Sequence, residues 1–171
     1  LGDFEEIMKA IEDPDRERIS KEWFDRWENK AIPTEVAGWN HIELNDQHLA
    51  QPEYLVKNWS TMQLPGRIDL YKGRDVDGMF WFRKTIELED ISSDYSFEMG
   101  VADDTDVVYF NGKKIGATTY DFTNSRNYPI PKSLLKKGKN TIAIRIIDTG
   151  GPGSISNEIK LTNKKNKNIS L

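Results

Sequence analysis

Any chemistry in this chain has to come from a few polar clusters, because it has no Cys and only two histidines, His41 and His48. The missing thiols remove disulfides, thiol catalysis, zinc fingers and iron–sulfur ligation. Two isolated imidazoles fall short of the three or four ligands that a zinc site requires. A serine nucleophile would sit at a Gly-x-Ser-x-Gly elbow or in a Gly-Asp-Ser-Leu block, and neither occurs. Three residues before His48, where a triad carboxylate would stand, is Asn45. The 28 acidic residues offer many pairs for glycosidase-type acid–base work, but none is singled out by its setting.

Two clusters carry distinctive chemistry. Asp103-Asp104-Thr105-Asp106 places three carboxylates in four residues. Such a loop has three uses. It can satisfy backbone N–H groups at strand ends, accept hydrogen bonds from sugar hydroxyls, or hold calcium through Asp103, Asp104 and Asp106. Downstream, Tyr120, Asn124, Arg126 and Tyr128 combine rings that stack on sugar faces with groups that read hydroxyls. Together the two form a candidate carbohydrate-binding set, with no cofactor and no catalytic residue expected. The glycines of Asp148-Thr-Gly-Gly-Pro-Gly153 follow an apolar run and open no helix, so they suit a tight loop and not a phosphate cradle.

The elements around these clusters are mostly strands. Period-two alternation begins at Gly78 and runs through Met79–Glu89, with Phe80, Phe82, Lys84 and Ile86 on one face. Tyr95–Met99 alternates as well, and Asp106–Phe110 runs into Asn111-Gly112, a strong hairpin signal. Asn127–Ile130 is a short strand, and Pro131–Gly138 reads as one helical turn with a Gly cap. Thr141–Ile147 is the most apolar strand, and Ser154–Leu161 is the last. Seven or eight such strands without interleaved helices predict an all-β antiparallel sandwich of jelly-roll type over 59–162. Residues 1–30 read as a helical arm, from Phe4, Ile7, Met8, Ile11 and then Ile19, Trp23 and Trp27 at helical spacing. An irregular connection covers 31–58, apart from a strand expected near Trp59–Leu64. A Lys/Asn-rich exit covers 163–171.

Composition narrows the class. With 171 residues, 30% charged and 11% aromatic, the chain suits one globular domain with an appendage. A net charge of −4 argues against nucleic-acid binding. No apolar run approaches the ~20 residues of a membrane span. The opening Leu-Gly-Asp-Phe-Glu-Glu has neither the basic flank nor the apolar stretch of a signal peptide. Charge is segregated: residues 1–30 carry ten acids against six bases, whereas 160–171 carry four lysines and no acid.

Several phrases taken together resemble the galactose-binding-like sandwich inserted in sialate O-acetylesterases. They are Trp59-Ser-Thr-Met-Gln-Leu-Pro65, Asp77-Gly-Met-Phe-Trp-Phe-Arg-Lys84, Gly100-Val-Ala-Asp-Asp-Thr-Asp106 and Tyr109-Phe-Asn-Gly112. Arg126-Asn-Tyr128, Leu135-Lys-Lys-Gly-Lys-Asn140, Arg145-Ile-Ile-Asp-Thr-Gly-Gly151 and the closing Ile169-Ser-Leu171 continue the likeness. The resemblance covers about residues 59–171. It implies a non-catalytic module of a secreted or periplasmic carbohydrate esterase. The partner would be an SGNH hydrolase domain of the same chain, which removes acetyl esters from sialic acids, and the ligand a sialic-acid-containing glycan. Two alternatives stand beside it: an autonomous carbohydrate-binding module, and the sugar-binding sandwich of family 2 glycoside hydrolases, which shares the Asn-Gly and Leu-x-x-Gly-x-Asn phrases.

Overall fold

The computed structural model describes residues 26–33, 47–165 and 167–171. Strands are β1 (Trp27–Pro33), β2 (Ser60–Met62), β3 (Gly66–Arg67), β4 (Leu70–Tyr71), β5 (Arg74–Asp75), β6 (Gly78–Leu88) and β7 (Tyr95–Met99). They continue with β8 (Thr105–Phe110), β9 (Lys113–Thr118), β10 (Arg126–Ile130), β11 (Gly138–Asp148), β12 (Ser154–Ile155), β13 (Lys160–Asn163) and β14 (Asn168–Ser170). Two short 3₁₀ turns, Gln47–Ala50 and Lys132–Leu134, are the only helical pieces among the described residues. No helix there is long and apolar enough to cross a membrane.

Two antiparallel sheets face each other. The larger runs β2-β1-β6-β11-β8-β9 and the smaller β10-β7-β13-β14, so the expected all-β sandwich is the fold. Alternation explains the layering. Phe80, Phe82 and Leu88 of β6, Val108 and Phe110 of β8, and Ile142, Ile144 and Ile146 of β11 point inward. They meet Tyr95, Phe97 and Met99 of β7, Ile130 of β10 and Leu161 of β13 in one buried core.

The larger sheet is also covered on its outer face. Met79, Trp81, Val107, Tyr109 and Ala143 form a second apolar layer, with the rings of Trp81 and Tyr109 stacked 5.9 Å apart. Leu49 and Ala50 of the first 3₁₀ turn cap this layer, with Tyr54 and Trp59 against its edge. Arg83 ties the cap down by donating to the carbonyls of Leu49 and Gln51. Burial on both sides accounts for the unbroken buried run at the start of β6.

Several expectations change here. Trp27 and its neighbours up to Lys30 form part of β1, an inner strand of the larger sheet, and not the end of a helix. Helical spacing misleads there because Trp27 is fully buried beneath the sheet pairing, which no local pattern encodes. The rest of the expected arm, residues 1–25, lies outside the described residues, as do Trp39 and His41. The expected final strand is two, β12 and β13, which join different sheets. The Lys/Asn-rich exit contributes β14, which pairs with β13. Gly138, expected to cap a helical turn, instead opens β11 at φ 88°.

Asn111-Gly112 forms the β8–β9 turn with φ values of 48° and 79°, both in the left-handed region that a type I′ turn requires. Asn111 is also a clamp. Its amide donates to Leu134 O and Asn140 Oδ1, each at 2.8 Å, and its Oδ1 accepts from Thr141 N at 2.9 Å. Asn140, buried, closes the Lys136–Gly138 loop in the same way. Asn111→Gly keeps the turn geometry but loses these bonds, whereas Asn111→Ala loses both. Denaturant unfolding should place Asn111→Gly about 1–3 kcal/mol below the parent and Asn111→Ala about 1 kcal/mol lower still. Equal losses would show that the clamp alone matters.

Candidate functional site

Asp106 lies on β8, beside Thr118 of β9 and Ile146 of β11, and points into the sandwich. Arg126 and Tyr128 stand two residues apart on β10 and so share the inner face of the other sheet. The three meet across the two layers. Arg126 Nε contacts Asp106 Oδ1 at 2.6 Å, and Tyr128 OH donates to Asp106 Oδ2 at 2.6 Å. Thr118 Oγ1 lies 2.7 Å from the same hydroxyl. Gly116 makes room for this arrangement, because a Cβ there would lie 2.1 Å from the Tyr128 ring. Burial pushes the Asp106 carboxyl upward, while Tyr128 and Arg126 pull against that by donating to its charged form. Burial first, and then the bond to Asp106, push the Tyr128 phenol well above its usual range.

Arg126 spends its remaining donors on the backbone. Nη2 reaches Ala102 O at 2.8 Å and Asp121 O at 2.6 Å, and Nη1 donates to Asn124 O. Those carbonyls belong to the acidic loop and to the β9–β10 loop, so one guanidinium holds both. Asp121 finishes the second loop by accepting from Thr123 N, Thr123 Oγ1, Asn124 N and Asn124 Nδ2 at 2.9–3.0 Å. Bonds from Asn124, followed by those from Thr123, hold its carboxyl far below the usual carboxylate range.

The seven expected sugar-binding residues therefore do not form one surface. Asp106, Arg126 and Tyr128 are interior, with exposures of 0%, 3% and 9%. Asn124 is exposed, but its amide is engaged with Asp121. Tyr120 stands out at 65% exposure beside Phe122 at 61%, on the loop that Arg126 fastens. Asp103 and Asp104 lie at the other side of the acidic loop, away from Asp106. Asp104 Oδ2 accepts from Thr149 N at 2.8 Å and Thr149 Oγ1 at 2.5 Å. Burial alone would raise Asp104, but these bonds outweigh it and hold the carboxyl low. Asp103 is pushed up to about 6 by burial and by its hydrogen bond with Asp104. Because Asp106 faces the core, Asp104 is bound to Thr149 and Asp103 is bonded to Asp104, the calcium set Asp103, Asp104 and Asp106 does not converge. Among the described residues no three acidic or histidine side chains are placed to hold a metal. His48 packs edge-on to Tyr54.

Asp148, at the end of β11, was not a candidate by sequence. It is fully buried. Its Oδ1 accepts from Gly150 N at 3.1 Å, and its Oδ2 has no hydrogen-bond partner. Gly153 permits this, because a Cβ there would lie 2.2 Å from Oδ2. Burial, together with the charges of Asp104, Asp69 and Asp77, pushes Asp148 up to about 6.

A second polar region also escaped the sequence reading. Glu98, Asn127 and Lys160 occupy one row across β7, β10 and β13 on the outer face of the smaller sheet. They line an open cleft of about 310 Å³ with Ser125, Asn157 and Glu158. Strict alternation in Tyr95–Met99 and Arg126–Ile130 marks Glu98 and Asn127 as outward-facing. Which strands lie side by side was not legible.

No protein-family model and no curated protein matches the sequence. Solved structures do. A β-glucuronidase from Bacteroides uniformis superposes with a TM-score of 0.61 and 16% identity, over 81% of this chain and 17% of that one. A family 2 glycoside hydrolase from Bacteroides cellulosilyticus gives 0.61 and 16%, over 82% and 20%. A Ruminococcus gnavus β-glucuronidase gives 0.56 and 18%, over 72% and 20%. The chain thus has the antiparallel β-sandwich fold found in these enzymes and spans about a fifth of their length.

These matches correct the expected kinship with sialate O-acetylesterase and the description of the chain as part of a carbohydrate esterase. The physical reason is visible in the phrases that suggested it. Asn-Gly forms a hairpin turn, Asn140 clamps a loop, and Asp-Asp-x-Asp with Arg-x-Tyr builds an inter-sheet bridge. All are devices of the sandwich itself and carry no information about any other domain. The SGNH partner, the sialic-acid ligand and the secreted or periplasmic setting rested on that resemblance alone.

Two outcomes test this account. Arg126→Ala strands a buried carboxylate and frees two loops, so it should cost about 3–5 kcal/mol in denaturant unfolding. Hydrogen exchange should speed at 119–125 in the same variant. The folded Asp148 keeps its proton to about pH 6, whereas an unfolded Asp loses it near pH ~4. The folded state therefore binds more protons between those values, and stability falls as pH rises through that window, then levels off. Asp103 acts with the same sign. Melting should occur at higher temperature at pH 5 than at pH 7.5, and Asp148→Asn should flatten much of that slope.

Proposed function

We propose that this chain is the non-catalytic sugar-binding sandwich domain of a family 2 glycoside hydrolase. The observation that carries the proposal is the match at TM-score 0.61 over about four-fifths of the chain to structures of family 2 enzymes. The fold supports an accessory role. The loop polar groups are turned inward to bind Arg126 and Asp121, and the carboxylates of Asp104, Asp106 and Asp121 are committed to structural partners. The domain's task would be to present a rigid polar surface beside a catalytic domain on the same polypeptide and so to shape the glycan's approach.

The purified chain should release no nitrophenol from 4-nitrophenyl β-D-glucuronide, 4-nitrophenyl β-D-galactoside or 4-nitrophenyl acetate. Turnover of any of the three would make the chain itself an enzyme and overturn the accessory role. The reading frame that contains it should also encode a family 2 catalytic domain. A catalytic domain of another class there would overturn the assignment.

A further inference from the structure

We propose that the cleft on the outer face of the four-stranded sheet is a binding site for a neutral mono- or disaccharide, and that it disfavours the acidic sugars. The inference deepens the sugar-binding role above, and of the seven residues that the sequence singled out only Arg126, its charge met by Asp106, lies along the cleft.

The register places the site. Asn127 pairs with Glu98, and Glu98 pairs with Lys160 on its other side, so an amide, a carboxylate and an ammonium stand in one row on three adjacent strands. Strands lie about 4.8 Å apart, so the row presents donors and acceptors at the scale of hydroxyls across a pyranose ring. Thr162 Oγ1 donates to Glu98 at 2.8 Å, and Lys160 Nζ lies 3.5 Å from its other oxygen, which fixes the central carboxylate without using all its acceptor capacity. Glu98 and Lys160 remain about one-third exposed. Asn127 is exposed, and among the described residues no hydrogen bond withdraws its side chain from a ligand.

The wall opposite is built, not loose. Asn157 holds φ at 61°, a left-handed conformation that Asn tolerates better than most side chains. The segment before it is fixed to the end of β7. Val101 N donates to Ser156 Oγ at 3.0 Å, and Ser156 N donates to Val101 O at 2.9 Å. Gly100 allows that closeness, because a Cβ there would lie 1.6 Å from Ser156 O. Floor and wall are therefore preorganised, which lowers the ordering cost of binding.

Size and charge select the ligand. A volume of about 310 Å³ sits at the low end for small-molecule sites, which run roughly 300–1,000 Å³. The lining side chains that face the cleft are amide, hydroxyl and charge, with Met99 turned into the core, which suits a polyol better than an apolar compound. Glu98 and Lys160 offset each other and Arg126 is neutralised by Asp106, so Glu158 leaves the cleft with a net negative charge. A carboxylated sugar would meet that charge. A neutral one would not.

The test is an NMR titration of the isotopically labelled full chain with lactose and, separately, with glucuronate, each to tens of millimolar. Lactose should shift the amides of Glu98, Asn127, Asn157 and Lys160, and glucuronate should bind at least fivefold more weakly. Asn127→Ala, at an exposed position, and Lys160→Ala, at a partly exposed one, should abolish the lactose shifts while moving the melting temperature little. Tyr120→Ala should leave them intact. Glu158→Lys reverses the local charge and should let glucuronate bind as well as lactose. Absence of lactose shifts, shifts confined to the Tyr120–Phe122 loop, or tighter binding of glucuronate by the parent chain would each overturn the site. Those failures would leave the family 2 assignment standing, since that depends on the catalytic domain encoded alongside.

Discussion

The rest of the structure hangs on one buried ion pair. Asp106 belongs to the larger sheet and Arg126 to the smaller, and their contact at 2.6 Å joins the two layers at one end of the sandwich. Desolvating both groups is expensive, and the pair is stable only because every strong donor and acceptor around it is occupied. Tyr128 takes the second carboxylate oxygen, and three backbone carbonyls take the rest of the guanidinium. The ion pair thus sets the course of two loops as well as the spacing of two sheets.

The other polar interior groups divide between full satisfaction and deliberate exception. Asn111 and Asn140 act as backbone surrogates where the β8–β9 turn meets the loop before β11. Thr149 anchors the acidic loop through Asp104. Asp148 departs from that pattern, with one oxygen buried against Gly153 and no donor to meet it. Burial of a carboxyl in that position favours its protonated form, which makes the loop after β11 sensitive to pH.

The same arrangement relocates the candidate binding groups. Residue types that suit sugar recognition, Arg126 and Tyr128 above all, are consumed in holding the sheets together. The groups proposed to meet a ligand are plainer ones on the outer face of the small sheet. Glu98, Asn127 and Lys160 come from three strands that are far apart in sequence. No phrase in the chain joins them.

Alternation along single strands was readable directly. Tyr95–Met99, the short strand Asn127–Ile130 and the apolar run Thr141–Ile147 announce an antiparallel sandwich, and Asn111-Gly112 announces its hairpin, because side-chain period and turn chemistry are local properties. Strand neighbours are not local. Trp27 reads as a helical residue until β6 is placed beside it, and the last strand divides in two because Ile155 and Leu161 serve different sheets. Arg126 reads as a sugar ligand until Asp106 arrives from the opposite layer. The sequence by itself determined the fold class and the alternation along strands such as Tyr95–Met99, because both follow from local side-chain period. Tertiary structure alone decided which polar groups are spent on one another across the layers, because that pairing depends on contacts between distant segments.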